Sequence, residues 1–247
     1  MDAPDDARVA LMRGLIDHAP LFPPASLDLP EALAEDRRAC ESDAAFALGR
    51  LVWPASRLED LPETRRHLSV VLDGGVDARA GIEAVEAVFR EDLHDLARLA
   101  GEVYVEVTID DSLDARLDAV SAAGLCAKVR CGGSRVPTAS ELAHFLAGCR
   151  ERSLPFKATA GLHHARRTDG EHGFLNLLAA VVFGDEEAAL GEQEASAFSV
   201  DSEAFRWHDR VADVAVIERA RHDRLRSIGS CSFFEPIEEL KALGGLP

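Results

Sequence analysis

Lysine is scarce in this chain. Of its 27 basic residues only three are lysines (Lys128, Lys157 and Lys241), and the rest are arginines. Genomic base composition explains much of such a bias, yet Lys128 and Lys157 stand in what read as strand interiors. A lysine there differs from arginine in one useful way: its amine can lose a proton and become a nucleophile. Positive charge is short overall, with 27 basic against 44 acidic residues and a formal charge of −17. That field repels nucleic acid and anionic membranes and excludes both as partners. A small anionic substrate would need a local cationic pocket. Cysteine is sparse and scattered. The five thiols (Cys40, Cys126, Cys131, Cys149, Cys231) form no CxxC pair, which excludes a disulfide framework and a zinc site. No apolar run reaches about 18 residues, so no membrane span is expected. The opening "MDAPDDARVA" is acidic where a secretory leader is basic, and a cytoplasmic protein is expected. No glycine-rich dinucleotide fingerprint follows the first strand. Neither cofactor nor metal is expected, and a homo-oligomer is allowed.

What the chain has is rhythm. Short apolar runs alternate with helical patterns across 247 residues, of which 47% are apolar. The runs are 11–19, 45–54, 67–73, 102–110, 125–131, 155–161, 196–200 and 225–233, with 196–200 the weakest. Helical patterns fall near 30–41, 56–65, 79–99, 112–123, 138–152, 172–183, 186–194, 211–224 and 235–243. Thr138 with Glu141 reads as a capping box, Asp111 or Ser112 as an N-cap, and Pro30 as a first-turn residue. Eight strands alternating with helices in a chain of this size predict an α/β fold, a closed (β/α)8 TIM barrel in a single domain over 1–247. A doubly wound open sheet is the competing architecture.

Side chains alternate along a strand. In "EVYVEVTID" the valine face (Val103, Val105, Val107) with Ile109 must meet the helices, so Tyr104, Glu106 and Thr108 point inward. The same reading places Cys126, Lys128 and Arg130 inside on the next strand, and Lys157, Thr159 and Gly161 on the one after. Unpaired charges are costly to bury, so these groups are expected to pair or to face a wet pocket, which in a barrel lies at the C-terminal mouth. Lys128, Arg130 and Lys157 are expected to make a positive spot there. Lys128, one strand from Lys157, is expected to disfavour a second positive charge on it.

"AKVRCGG", followed after some 29 residues by "FKATAG", resembles deoxyribose-phosphate aldolase. The resemblance implies a (β/α)8 class I aldolase with a lysine on strand five and the Schiff-base lysine on strand six. Lys128 falls on the first, and Lys157, Thr159 and Gly161 fall on the lysine, second threonine and glycine of the family's K-T-x-T-G pattern. Lys157 would then be the Schiff-base former. The chain departs from the family in several places. Ala158 replaces the first threonine, no lysine lies between 158 and 240 to match a strand-seven lysine, and "GSCSF" stands where a phosphate-binding glycine pair would be. The resemblance implies imine chemistry without implying a deoxyribose phosphate substrate.

Further candidates ring the same mouth. His163 or His164 suits general acid–base work. A metal set would draw on these with Asp169, Glu171 and His172. Asp17, His18, Arg50, Asp73, Cys131 and Cys231 end or flank strands, Phe22 in a proline-rich loop could form a lid, and Trp207 with His208 could reach in. The leading expectation is a lyase or aldolase acting through Lys157, aided by Lys128, Glu106 and a histidine. Arg130, Thr159, Tyr104, Asp17, Arg50 and Cys231 would contact the small-molecule substrate. The competing readings are a metal-assisted or acid–base isomerase or hydrolase on Glu106 and His163 or His164, and a catalytically silent barrel that binds a ligand or partner.

Overall fold

Strands whose two faces both carry buried side chains need cover on both sides, and a closed barrel provides it. In the computed structural model, which describes residues 6–74, 81–168 and 170–247, eight parallel strands close into such a barrel. They are β1 (Ile16–His18), β2 (Leu48–Pro54), β3 (Leu68–Val71), β4 (Ile82–Val88), β5 (Glu102–Glu106), β6 (Cys126–Arg130), β7 (Phe156–Thr159) and β11 (Leu225–Ser230), with β11 closing on β1. The remaining three, β8 (Phe198–Val200), β9 (Ala204–Trp207) and β10 (Arg210–Asp213), form a separate antiparallel sheet.

The expected number of barrel strands is right, but one member differs. Segment 196–200 is not a barrel strand: β8 pairs antiparallel with β9 outside the barrel. The missing strand is β4, inside the segment 79–99 that reads as a helix; of that segment, 79 and 80 lie outside the described residues. "IEAVEAV" is rich in Ala and Glu, which favour helices. It is also alternating, and in the barrel Glu86 points inward while Val85 and Ala87 join the outer core. Tertiary context overrides the propensity.

The helices are α1 (Ala7–Met12), α2 (Leu29–Glu41), α3 (Leu113–Ala122), α4 (Ala139–Glu151), α5 (Phe174–Phe183), α6 (Glu186–Gly191), α7 (Val214–Asp223) and α8 (Phe234–Ala242). Thr138 and Glu141 make the expected capping box on α4, and Asp28 caps α2 with Pro30 in its first turn. Segment 56–65 is a 3-10 turn at Ala55–Asp60 and not an α-helix. The first expected strand loses its start to α1.

The valines of β5 pack outward with Val129, Phe156 and Ala158 under α3 and α4, where Phe145 meets Phe156 edge to face at 5.4 Å. Above them, the ends of β6 and β7 touch. A Cβ on Gly132 would stand 2.8 Å from the Gly161 Cα, and one on Gly161 would stand 2.9 Å from the Gly132 Cα. Gly132 of "CGG" and Gly161 of "TAG" are therefore required by close backbone approach. No helix among the described residues is long and apolar enough to cross a membrane.

Candidate active site

The inward face of β7 places Lys157 in the middle of the barrel, with its side chain fully buried. Its Nζ donates to Asp17 Oδ2 at 2.6 Å and to Glu86 Oε1 at 2.5 Å. On β6, beside Lys157 in register, Lys128 reaches the other Glu86 oxygen, Oε2, at 2.8 Å and Glu106 Oε2 at 3.0 Å. Glu86 thus bridges two ammonium groups. Burial alone would raise its carboxyl, but the Lys128 and Lys157 charges outweigh burial and hold it far below the usual carboxylate range. Burial pulls the Lys128 ammonium down in turn, and Glu86 and Glu106 more than reverse this, so it stays above its ordinary value.

Each carboxylate on Lys157 has further donors. Ser69 Oγ donates to Glu86 Oε1 at 2.7 Å. Ser227 Oγ donates to Asp17 Oδ2 at 2.8 Å, and the Arg50 N–H to Asp17 Oδ1 at 2.7 Å. The expected repulsion between the two lysines is therefore answered by a shared anion. The expected positive spot is also smaller than the sequence suggests, since both ammonium groups are matched by carboxylates. Arg130 alone of the three has a side chain that makes no hydrogen bond or ion pair among the described residues; it is exposed, its guanidinium lying near Gly133.

Above this layer opens a cavity of about 320 Å³, at the small end of the usual range for ligand pockets. Lys157, Lys128 and Glu86 form its floor, and Glu106, Arg130, Thr159, His163 and Cys231 line it from β5 to β11. The C-terminal ends of the barrel strands surround it, where barrel enzymes carry their sites. Phe22 and Pro23, from the loop after β1, close one side. Gly229 leaves space for the amine: a Cβ there would stand 2.9 Å from Thr159 Cγ2 and 3.6 Å from Lys157 Cε. A wider cleft of about 710 Å³ opens at the other end of the barrel among Arg50, Glu83, Glu102 and Arg226. Its size does not make it the better candidate, because Arg50, Arg66 and Arg226 are tied into ion pairs and no lysine is among the residues that line it.

Several expected residues lie elsewhere. Tyr104 points inward as expected but below the pocket, donating to Glu102 Oε2 at 2.6 Å, with Lys157 Nζ 5.9 Å from its ring centre. Arg50 also lies in that lower layer, not at the mouth, bonding Glu102 at 2.9 Å and Glu83 at 3.3 Å. Thr108 lies beyond the end of β5 and is exposed. Asp73 accepts from Ser56 outside the pocket. Cys131 faces the outer core, where burial pushes its thiol to about 12. His164 turns away to Glu239 at 2.6 Å, whereas His163 stays, with Nδ1 4.0 Å from Cys231 Sγ.

His172 is buried against the Pro137 carbonyl at 2.7 Å, so it does not gather with His163 and His164. Asp169 lies outside the described residues. Trp207 is buried beside Phe183 on the antiparallel sheet, and His208 pairs with Glu192, so neither reaches the pocket. Sequence reasoning missed Glu86, Ser69 and Ser227. Glu86 had a signal, because two inward lysines on adjacent strands demand an inward carboxylate and "IEAVEAV" alternates.

No protein-family model matches the chain, and no curated protein matches it in sequence. The aldolase resemblance thus rests on the two short motifs alone, and the strand count shifts them. Lys128 lies on the sixth barrel strand and Lys157 on the seventh, each one strand later than the resemblance implies. Chemistry must therefore be argued from the pocket.

Proposed function

We propose that the chain is a lyase of the Schiff-base type, acting on a small anionic carbonyl compound with Lys157 as nucleophile. One observation carries this reading. The Lys157 amine lies at the floor of the mouth pocket between two carboxylates, and each keeps other donors when that amine changes partner. A lysine serving only as counter-ion has no need of such redundancy.

In the proposed reaction a proton leaves the ammonium, and the freed lone pair attacks the carbonyl carbon. The carbinolamine takes up a proton on oxygen and loses water, leaving an iminium. Cleavage of the bond between the α- and β-carbons sends its electron pair toward the iminium and gives an enamine, while a base takes the proton from the β-hydroxyl, which becomes the carbonyl of the departing product. Protonation of the enamine carbon and addition of water release the second product. Glu106 and His163 both line the pocket and are the candidate proton carriers. Lys128, held as an ammonium by Glu86 and Glu106, supplies fixed positive charge beside the forming oxyanion.

Reduction with borohydride in the presence of aldehydes and oxo acids, followed by peptide mass analysis, tests this. The expected result is a reduced adduct on Lys157 that is absent in Lys157→Arg, which keeps the charge but forms no imine. No adduct with any carbonyl overturns the reading. The competing acid–base reading gains from His163 in the pocket. It requires solvent deuterium to enter an unbound carbonyl substrate in Lys157→Met as in the parent.

A further inference from the structure

The pocket has two chemically different halves. Strands β5, β6 and β7 bring Glu106, Lys128, Arg130, Lys157 and Thr159. The opposite half is Val52, Val71 and Val88 from β2, β3 and β4, joined by Phe22 from the loop after β1. Among the described residues lining that half, Glu86 at the floor alone carries a side-chain acceptor, and its two oxygens are already taken by Lys157, Ser69 and Lys128. Val88 is 69% exposed although it lines a pocket, so no described residue covers it. A ligand with hydroxyl groups there would strip them of water and leave them without partners, which disfavours it strongly. An apolar group would cover Val88 and lose nothing.

Charge narrows the choice further. Asp17, Glu86 and Glu106 set three negative charges against the two of Lys128 and Lys157. Arg130 is the one of the three cations whose side chain has no carboxylate partner among the described residues; with it the site is neutral, so a monoanion leaves one net negative charge and a dianion two. A single guanidinium grips a carboxylate with two parallel hydrogen bonds. A phosphate dianion would meet a second charge with no cation to match it. Arg130 stands two residues along β6 from Lys128, roughly 7 Å higher in the barrel at about 3.3 Å per residue. That rise separates the backbones; the Arg130 and Lys157 side chains line the same cavity of about 320 Å³, so one short molecule can meet both head groups.

We infer that the substrate is a small monocarboxylic oxo acid with an apolar body. Its carboxylate meets Arg130, its carbonyl meets Lys157, the hydroxyl that cleavage requires faces Glu106 and His163, and its hydrocarbon part lies against Val52, Val71 and Val88. Sugar phosphates are the class this pocket rejects. The inference rests on the Schiff-base reading above and adds the substrate class to it.

The test compares initial rates of borohydride trapping on Lys157 for matched carbonyls at equal concentration. The probes are 4-methyl-2-oxopentanoate, its uncharged counterpart 4-methyl-2-pentanone, pyruvate and dihydroxyacetone phosphate. The branched oxo acid is expected to label Lys157 at least about tenfold faster than pyruvate or the sugar phosphate, the discrimination that apolar pockets commonly give. Arg130→Gln should remove its advantage over the uncharged ketone, and Val88→Asn its advantage over pyruvate. Both side chains are exposed, so both variants are expected to melt with the parent. Faster labelling by dihydroxyacetone phosphate, or an unchanged acid-to-ketone ratio in Arg130→Gln, overturns the substrate class and leaves the imine standing. Failure of every probe to label Lys157 removes the Schiff-base reading and this one with it.

Discussion

Two charged layers lie one above the other inside the barrel, one built on lysine and the other on arginine. In the upper layer Lys157 and Lys128 meet Asp17, Glu86 and Glu106 beneath the mouth, and the Lys157 and Glu86 side chains are at most 2% exposed. In the lower layer Arg50 and Arg226 face Glu102 at the opposite end, with side chains 20% to 28% exposed. Tyr104 separates the two, its hydroxyl on Glu102 and its ring under Lys157. A guanidinium stays protonated and holds its partners in a fixed fork, whereas an ammonium can give up its proton. The lower layer can therefore serve as a tie across the open end of the barrel. The upper layer buries charge at greater cost, where apolar side chains would fill the space more cheaply. Lysine, rare elsewhere in the chain, supplies both cations of the upper layer; the third, Lys241, is exposed on α8.

The sharpest way to break this contrast is Glu86→Gln. It leaves two buried ammonium groups sharing a neutral amide, and breaking such buried pairs costs about 3–5 kcal/mol. Urea unfolding at pH 7 measures the loss; a cost under about 1 kcal/mol contradicts the bridging role. The acid limb gives an independent check. The Glu86 carboxyl is depressed in the folded state, so its stabilisation is complete above its ordinary value of 4.5 and disappears as pH falls through the folded value. The parent should therefore lose stability in acid more steeply than Glu86→Gln.

Lys157→Arg makes the upper layer resemble the lower. The larger head group must enter a space already bounded by Gly229, so overpacking of about 1–3 kcal/mol is expected, together with complete loss of trapping. Retained trapping elsewhere on the chain would show that Lys157 is not the nucleophile.

The two layers were not equally legible in the sequence. Lys128, Lys157, Glu106, Arg130 and Thr159 follow from strand alternation, because β5, β6 and β7 are clear apolar runs and inward charge on them has few explanations. Asp17 was legible only as a residue near a strand end; its contact with Lys157 spans 140 residues, and no local pattern carries that. Glu86 was hidden because Ala and Glu favour a helix when the barrel is left out of account. The antiparallel sheet took the place of β4 in the strand count, since both segments are short apolar runs and only pairing tells them apart. Alternation gives the inward face of Tyr104 and the strand that carries Arg50, while height along the barrel depends on register, so their place below the pocket is not legible in the sequence.

The contrast extends to the two sides of β1. Asp17 faces the lysines, and its neighbour His18 points the other way, fully buried, with Nδ1 3.1 Å from Asp36 and Nε2 3.5 Å from Glu35 on α2. Arg66 also meets Asp36 at 2.9 Å, and Glu35 accepts from the Phe233 N–H ahead of α8. Burial lowers the His18 imidazolium, and Asp36 and Glu35 outweigh burial and raise it above the ordinary 6.5. Stability from its charge is thus complete below 6.5 and is lost as pH rises through the folded value. His18→Asn should cost about 1 kcal/mol near pH 6 and flatten that slope. A parent whose stability rises across this window contradicts the arrangement.

The smallest effect is expected from Arg50→Lys, which puts lysine into the arginine layer. Arg50 lies in a partly open cleft, and a lysine can keep one of its two carboxylate contacts, with Glu102 at 2.9 Å or Glu83 at 3.3 Å. Pairs in such settings are worth at most about 1 kcal/mol, so unfolding should shift by less than that. Trapping at Lys157 should not change, because the link from Arg50 to the upper layer is its backbone N–H on Asp17, which the substitution leaves in place. Peptide mass analysis of the reduced variant also shows whether the new amine reacts. An adduct on the introduced lysine would mean that any partly buried amine in this barrel forms an imine, and the distinction between the layers would collapse. Labelling confined to Lys157 at the parental rate keeps chemistry in the upper layer and support in the lower.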